Sequence, residues 1–401
     1  MEETTEIIKR EIYLKRIRPY IGKNIIKILT GQRRVGKSYI LKSVADEIRE
    51  SDSSANLITI NLEDFAFSHI TDATSLHAEI NNRLEKDRKN YIFLDEIQEV
   101  KDFDKAVRSL NLDVNNDIYL TGSNSAMLSS EIASRLAGRS VDITVHPLCY
   151  TEFMQFHNLH DDDDTLLAYL RYGGLPYLRN LPDRTNWDEY LSGVTDAIVY
   201  RDVVTRHALR NPDFLNRLLL FMADNIGQIF TAKKIADYLR SQRQTVSVSG
   251  VQNYVDYVTG AYIINQVRRW DIEGKRFFEI GEKYFFEDLG IRNSIVGYRP
   301  HDTGALMENA VYNHLVVRGY KVRVGVISRG REIDFVAEKG NEKLYVQVAL
   351  RIDDSATAER EFGNLTKIPD NYEKIVVTLR DSFPNTLNGI KALSLREFLK
   401  L

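Results

Sequence analysis

Short, nearly uninterrupted apolar runs alternate with amphipathic stretches over the first 145 residues. Asn24–Thr30, Leu57–Leu62, Tyr91–Leu94, Asp117–Thr121 and Val141–Val145 are such runs, rich in β-branched and aromatic residues. Runs of this length read as strands buried on both faces of a parallel sheet. After the first of them, Ile40, Leu41, Val44, Ala45 and Ile48 recur at helical spacing. Strands alternating with helices predict an α/β layer with ligands at the carboxyl ends of the strands.

The pattern then changes. From Pro147 to about Arg210 it is helical and aromatic, interrupted by Asp161–Asp164 and by Tyr172–Pro176. Four aspartates without the Gly and Glu spacing of an EF-hand read as a solvated loop or helix cap. Arg201-Asp202 reads as a surface charge pair of little energetic weight. Further on, Thr231 caps a short helix with Ile235, Ala236 and Leu239 on one face. A turn over Arg240–Thr245 leads to a second helix near Ser249–Thr259, with Val251, Val255 and Val258 inward and Gln252, Asn253 and Asp256 outward. Two strand-like runs, Ala261–Val267 and Arg276–Ile280, follow. Helix, turn, helix and hairpin is the layout of a winged helix, whose second helix can enter a major groove. Between Ala232 and Arg276 eight Lys/Arg stand against four Asp/Glu, a local excess that suits phosphate contact. Protein docking suits it equally.

Length and composition narrow the class. A chain of 401 residues exceeds a typical domain of ~150, so several are expected: a core over 1–146, a helical lid over 147–211, a winged helix over 212–300 and a C-terminal α/β domain over 301–401. The fold class is therefore multidomain α/β. Hydrophobic residues at 43% and charged residues at 28% are ordinary for a soluble protein. No apolar run reaches the roughly 18 residues of a membrane helix, and the acidic start Met1–Glu6 is unlike a secretory signal. A single cysteine, Cys149, points to a reducing compartment. Cytoplasmic is the expectation, with no membrane contact. The net charge of −3 leaves nucleic-acid contact to a local patch.

Chemistry is concentrated in Gly31-Gln32-Arg33-Arg34-Val35-Gly36-Lys37-Ser38, which joins the first strand to the first core helix. Glycines at both ends let successive N–H groups converge on a phosphate, and the helix N-terminus, reaching Tyr39, adds its dipole. Lys37 is placed for the β- and γ-phosphates and the Ser38 hydroxyl for magnesium. Tyr91–Leu94 ends in Asp95-Glu96; the first acid suits the magnesium shell and the second the polarising of an attacking water. Thr121–Asn124 ends a further strand; Ser123 and Asn124 suit a γ-phosphate sensor, and a simple turn with Ser125 or Asn124 as helix cap explains the same residues equally. ATP and Mg²⁺ are the expected ligands.

Taken together, Gly-Gln-Arg-Arg-Val-Gly-Lys-Ser, Phe-Leu-Asp-Glu-Ile-Gln, Leu-Thr-Gly-Ser-Asn-Ser, Leu136–Arg139, Tyr172–Pro176 and Glu332–Phe335 resemble the prokaryotic AAA-type ATPases with a C-terminal domain of unknown function. The resemblance spans nearly the whole chain. It implies an ASCE-class P-loop core, Asp95 and Glu96 as the Walker B pair, Ser123 or Asn124 near the sensor position, and selectivity for adenine. Gly173-Gly174-Leu175-Pro176 is similar to the lid motif of signalling NTPases, where Pro176 would pack near adenine; an ordinary turn between helices explains it equally. Arg135 and Arg139 follow the sensor strand, either completing a neighbouring subunit's site in an oligomer or ending a helix.

The last hundred residues resemble the PD-(D/E)xK nuclease fold. Ala305–Gly319 reads as a helix carrying Glu308, and the strands Ile333–Ala337 and Tyr345–Ala349 carry Asp334 and Gln347. These three would converge on a divalent cation. The lysine expected two residues after Gln347 is replaced by Ala349, and Lys343 and Arg351 each lie four residues from Gln347. The expectation is a nuclease-like domain, degenerate at Glu308, Asp334 and Gln347 and without cleavage activity. Three functions follow: an Mg-dependent ATPase switch coupled to a DNA-facing half, an ATP-retaining module that docks DNA or protein, and an ATP-gated nuclease. The first is favoured, because Glu96 is present and the nuclease lysine is not.

Overall fold

The computed structural model describes residues 8–124, 136, 138–209, 211–243, 246–274, 276–327, 331–352, 355–380 and 386–401. The chain divides into two compact units, one over 1–146 with 260–262 and one over 147–259 with 263–401.

The first unit contains α1 (Glu11–Ile17), β1 (Ile26–Thr30), α2 (Lys37–Ser51), β2 (Asn56–Asn61), α3 (Ala73–Asn81), β3 (Asn90–Asp95), α4 (Phe103–Leu110), β4 (Asn116–Gly122) and β5 (Ser140–Thr144). The five expected strands form one parallel sheet in the order β2-β3-β4-β1-β5. β1, β3 and β4 are buried along their whole length, as unbroken apolar runs require. Ile28, Ile60, Leu94 and Leu120 join Leu76 and Val107 from the flanking helices in one core. The lysine inside the β1 run does not breach this rule: Lys27 is wholly buried and ion-paired with Asp117, which also accepts from Tyr119 Oη at 2.9 Å.

The second unit opens with α5 (Tyr150–His157), α6 (Asp163–Tyr172) and α7 (Trp187–Ala197), which runs into a π-helical segment, Ile198–Thr205. There the expected surface pair is corrected. Asp202 is buried while Arg201 is exposed, because adjacent helical residues do not share a face; the Arg206 guanidinium approaches Asp202 at 4.0 Å. The aspartate run is a cap and an anchor. Asp162 accepts from Thr165 N at 2.8 Å, while Asp161 pairs with Lys400 and Arg396.

α8 (Pro212–Asp224), α9 (Ala232–Ser241) and α10 (Val248–Gly260) follow. Thr231 caps α9, accepting from Lys234 N at 3.2 Å, and Val251, Val255 and Val258 of α10 are buried with Gln252, Asn253 and Asp256 exposed. The hairpin after them is longer than expected and differently placed. β6 (Ile264–Asp271) and β7 (Arg276–Phe286) form one edge of an eight-stranded sheet with β8 (Lys321–Ile327), β9 (Arg331–Lys339), β10 (Glu342–Ala349), β11 (Glu373–Thr378), β12 (Thr386–Leu387) and β13 (Ile390–Ser394). Its order is β12-β13-β11-β10-β9-β8-β6-β7, with β6 parallel to β8. The sheet therefore continues across residue 300. α11 (Leu289–Val296), α12 (Thr303–Val317), α13 (Ser355–Thr366) and α14 (Leu395–Phe398) complete the unit.

Candidate functional site

The chain leaves β1 at Gly31, where φ is 141° and an added Cβ would lie 2.1 Å from the Val145 carbonyl oxygen. Only glycine fits so close an approach. Arg34 and Gly36 are also left-handed, at φ 71° and 96°, and Gly36 is the residue before α2. This path folds the loop back on itself. Lys37, the first residue of α2, donates to the carbonyls of Gly31 and Gln32, both at 2.9 Å. Ser38 and Tyr39 are exposed on the first turn. Gln32 is fully buried, and among the described residues neither its amide nitrogen nor its amide oxygen has a hydrogen-bond partner.

Two arginines fix the loop, one of them, Arg10, unforeseen from the sequence. Arg10, buried just before α1, donates to the Val35 and His146 carbonyls, each at 2.9 Å. Arg33 donates to Glu63 beyond β2 at 3.0 Å. No local pattern announces Arg10, whose partners lie 25 and 136 residues away.

The other acids arrive through strand register. Thr30 of β1 sits beside Gly122 of β4, and Leu94 of β3 beside Leu120. Asp95, Glu96, Thr121, Ser123 and Asn124 thus gather at the carboxyl edge next to Gly31. All five are buried. Glu96 is left-handed, at φ 55°. Its N–H donates to Thr121 Oγ1 at 2.9 Å, and the same hydroxyl donates to Asp95. Thr121 therefore holds both acids from the strand inserted between them and the loop. The Gln98 amide donates to Glu96 and reaches Ser123 Oγ at 3.4 Å. Arg139 is exposed at the opposite, amino end of β1, where its carbonyl accepts from Ile26 N; Arg135 and Ser125 lie outside the described residues.

Residues 23–154 match an AAA domain, and residues 163–302 and 303–398 match two domains of unknown function (DUF8612 and DUF4143). Over 399 residues the chain is 34% identical to an uncharacterized protein of Haemophilus influenzae, covering 98% of each. The chain belongs to this AAA-domain family. An uncharacterized protein of Methanocaldococcus jannaschii, MJ1544, is 30% identical over 94% of this chain and 86% of its own. A Walker-type ATPase of Pyrococcus abyssi has a similar fold, with a TM-score of 0.51 and 17% identity over 73% of this chain and 97% of that one. The parallel sheet and its glycine loop have the P-loop NTPase fold.

In the second unit of this AAA-domain protein, the Gly173–Pro176 turn has its own account. Asp288, wholly buried, accepts from Gly174 N at 2.7 Å and from Ile291 N at 2.9 Å. Cβ atoms on Gly173 and Gly174 would lie 2.3 Å from Asp288 Oδ1 and from the Leu148 carbonyl oxygen. The glycines are required there by packing. Pro176 begins a short 3₁₀ turn. Burial pushes the Asp288 carboxyl up to about 6, against the pull of the donated N–H groups.

The C-terminal cluster contains a residue the sequence did not reveal. Lys283, on β7, is buried among carboxylates: its ammonium lies 2.7 Å from Glu308 and 3.4 Å from Asp334, and is paired with Glu332 as well. Lys343 instead faces Glu338 at 3.6 Å, Arg351 is exposed, and Ala349 is buried. Gln347 Oε1 is 3.4 Å from Asp334 N, and Asp334 Oδ2 accepts from Val348 N at 2.8 Å. Glu308 and Asp334 share the Lys283 ammonium, which stands on β7 rather than on β10, and Gln347 touches Asp334. Burial opposes the charge of Lys283, but its three carboxylates override this and hold it charged. Burial pushes Glu308 up to about 8, with Lys283 pulling it down and Asp334 raising it further. Among the described residues no group of three His, Cys, Asp or Glu is arranged to hold a metal ion.

Proposed function

We propose that the protein binds ATP with magnesium and hydrolyses it, as a nucleotide switch coupled to a DNA-facing second unit. The observation that carries this reading is the gathering of the glycine loop, Asp95, Glu96 and Thr121 at one carboxyl edge. In it, Gly31–Tyr39 cradles the phosphates, and Lys37 exchanges its loop carbonyls for β- and γ-phosphate oxygens. Ser38 and Asp95 offer the hard oxygen donors that magnesium takes alongside retained waters. Magnesium supplies neutralisation of the charge on the transferring phosphate. Glu96 takes a hydrogen bond from the attacking water, and Ser123 and Asn124 report on the γ-phosphate. On α9 and α10, exposed Lys233, Lys234, Gln252 and Asn253 form the face offered to DNA. Lys37→Ala should abolish ATP binding, and Glu96→Gln should retain it while blocking turnover. Unchanged turnover in both variants would overturn the ATPase reading; stimulation by DNA supports the coupling, and stimulation by a protein partner alone would replace DNA with that partner.

A second reading is favoured by one observation, the Lys283 ammonium beside Glu308 and Asp334. It restores the lysine whose absence argued against cleavage. Carboxylates with an adjacent ammonium suit metal-assisted phosphodiester hydrolysis, once a cation has displaced Lys283 from between them. Incubation of supercoiled and linear DNA with Mg²⁺ or Mn²⁺ tests it. Cleavage lost in both Lys283→Ala and Asp334→Ala supports this reading, and no cleavage by the wild type leaves the domain as a docking module.

A further inference from the structure

Gln98 carries an arrangement that the roles of Lys37, Asp95 and Glu96 leave unexplained. It follows β3 in a short 3₁₀ turn, Ile97–Glu99, and is half-buried. Its amide nitrogen donates to the Glu96 carboxylate and reaches the Ser123 hydroxyl at 3.4 Å. Its amide oxygen is buried and, among the described residues, accepts no hydrogen bond. A buried acceptor left unpaired is costly and calls for an explanation. The neighbouring backbone is fixed, since Glu96 is held left-handed with its N–H on Thr121. The amide can therefore orient the Glu96 carboxylate without moving the strand end.

We infer that Gln98 is a water-positioning residue, donating to Glu96 with its nitrogen and accepting from the attacking water with its oxygen. A water molecule has two hydrogens to place. Glu96 takes one and the orphaned amide oxygen the other, which leaves a lone pair of the water oxygen free for phosphorus. A glutamine orients the attacking water in the same chemical manner in GTPases. In the step itself the water oxygen bonds to the γ-phosphorus as the bond to the ADP oxygen breaks. The water proton passes to Glu96, and Gln98 neither gains nor loses one. The contact to Ser123 extends this link to the end of β4, so that the strand next to the loop and the hydrolytic acid share one amide.

The inference rests on the ATPase reading, and the experiment separates the two. Wild type, Gln98→Ala and Gln98→Met are compared for kcat, for MgATP affinity, and for affinity towards MgADP with aluminium fluoride, an analogue that holds the attacking water in place. Methionine keeps the length of the side chain and removes both polar atoms. Both variants should bind MgATP within about twofold of wild type, lose about 10²-fold in kcat, and bind the aluminium fluoride complex correspondingly less tightly. Turnover and analogue affinity at wild-type levels in Gln98→Met would show that only packing matters, and would overturn the role of Gln98 alone. A wild-type protein that binds MgATP but neither turns it over nor captures the analogue would overturn the ATPase reading and this inference together.

Discussion

Lys283 Nζ lies 2.7 Å from Glu308 Oε1, joining a strand and a helix 25 residues apart in the chain. With Asp334 and Glu332 also on the ammonium, the lysine is the cation of a buried, carboxylate-rich cluster. Removing one partner of such a cluster strands the others in a poorly hydrated interior, which costs about 3–5 kcal/mol. Lys283→Met should therefore destabilise the protein by that amount in denaturant unfolding. Combining it with Glu308→Leu should recover part of the loss. Equal stability of wild type and Lys283→Met would show that the ammonium does not hold this cluster together.

Thr121 sets the geometry of Asp95 and Glu96 through its bonds to the Asp95 carboxylate and to Glu96 N. Thr121→Val preserves shape but leaves a buried N–H and a carboxylate short of a partner, at about 1–3 kcal/mol. The expected result is a protein that folds but binds ATP about tenfold more weakly in the presence of magnesium. A magnesium titration of ATP affinity measures it; without magnesium the variant and wild type should agree.

Much of the first unit was legible because its determinants are local. The β1, β3 and β4 runs are buried throughout, so hydrophobicity alone marks them. The glycine loop is legible because Gly31 and Gly36 answer a backbone demand. Arg10, Thr121 and Lys283 were not legible in their roles, since each acts on partners that only tertiary structure brings near. The hairpin β6–β7 shows the limit most clearly. Its strands were recognisable, but an apolar strand does not declare its sheet, and pairing with β8 carries Lys283 to a cluster whose lysine is expected on β10.

Glycine positions offer a direct comparison. A Cβ on Gly174 would meet the Leu148 carbonyl oxygen at 2.3 Å, whereas one on Gly193, inside α7, meets nothing within 4 Å. Gly174→Ala must move backbone, and should cost about 1–3 kcal/mol or more. Gly193→Ala should instead stabilise by up to about 1 kcal/mol, since alanine is the better helix former. Thermal unfolding of the two variants should move in opposite directions; a shared direction would contradict the packing of the Gly173–Pro176 turn.

The same turn sets a dependence on pH through Asp288. Burial raises this carboxyl from 3.8 to about 6, and the N–H groups of Gly174, Ile291 and Gly290 offset only part of that. The native state therefore binds the proton more tightly than the unfolded chain. Stability from this group is fully present below about pH 3.8 and is lost as pH rises to about 6, a change on the order of 3 kcal/mol for a group so completely buried. Other carboxylates slope the opposite way, so the difference between variants is the measurable quantity. Asp288→Asn removes the titration while keeping one oxygen acceptor for the turn. Its unfolding free energy should be lower than wild type near pH 4, where the protonated acid is at its best, and the gap should narrow towards pH 7 as the wild type bears a buried charge. A gap that stays constant from pH 4 to pH 7 would show that Asp288 is not the titrating group.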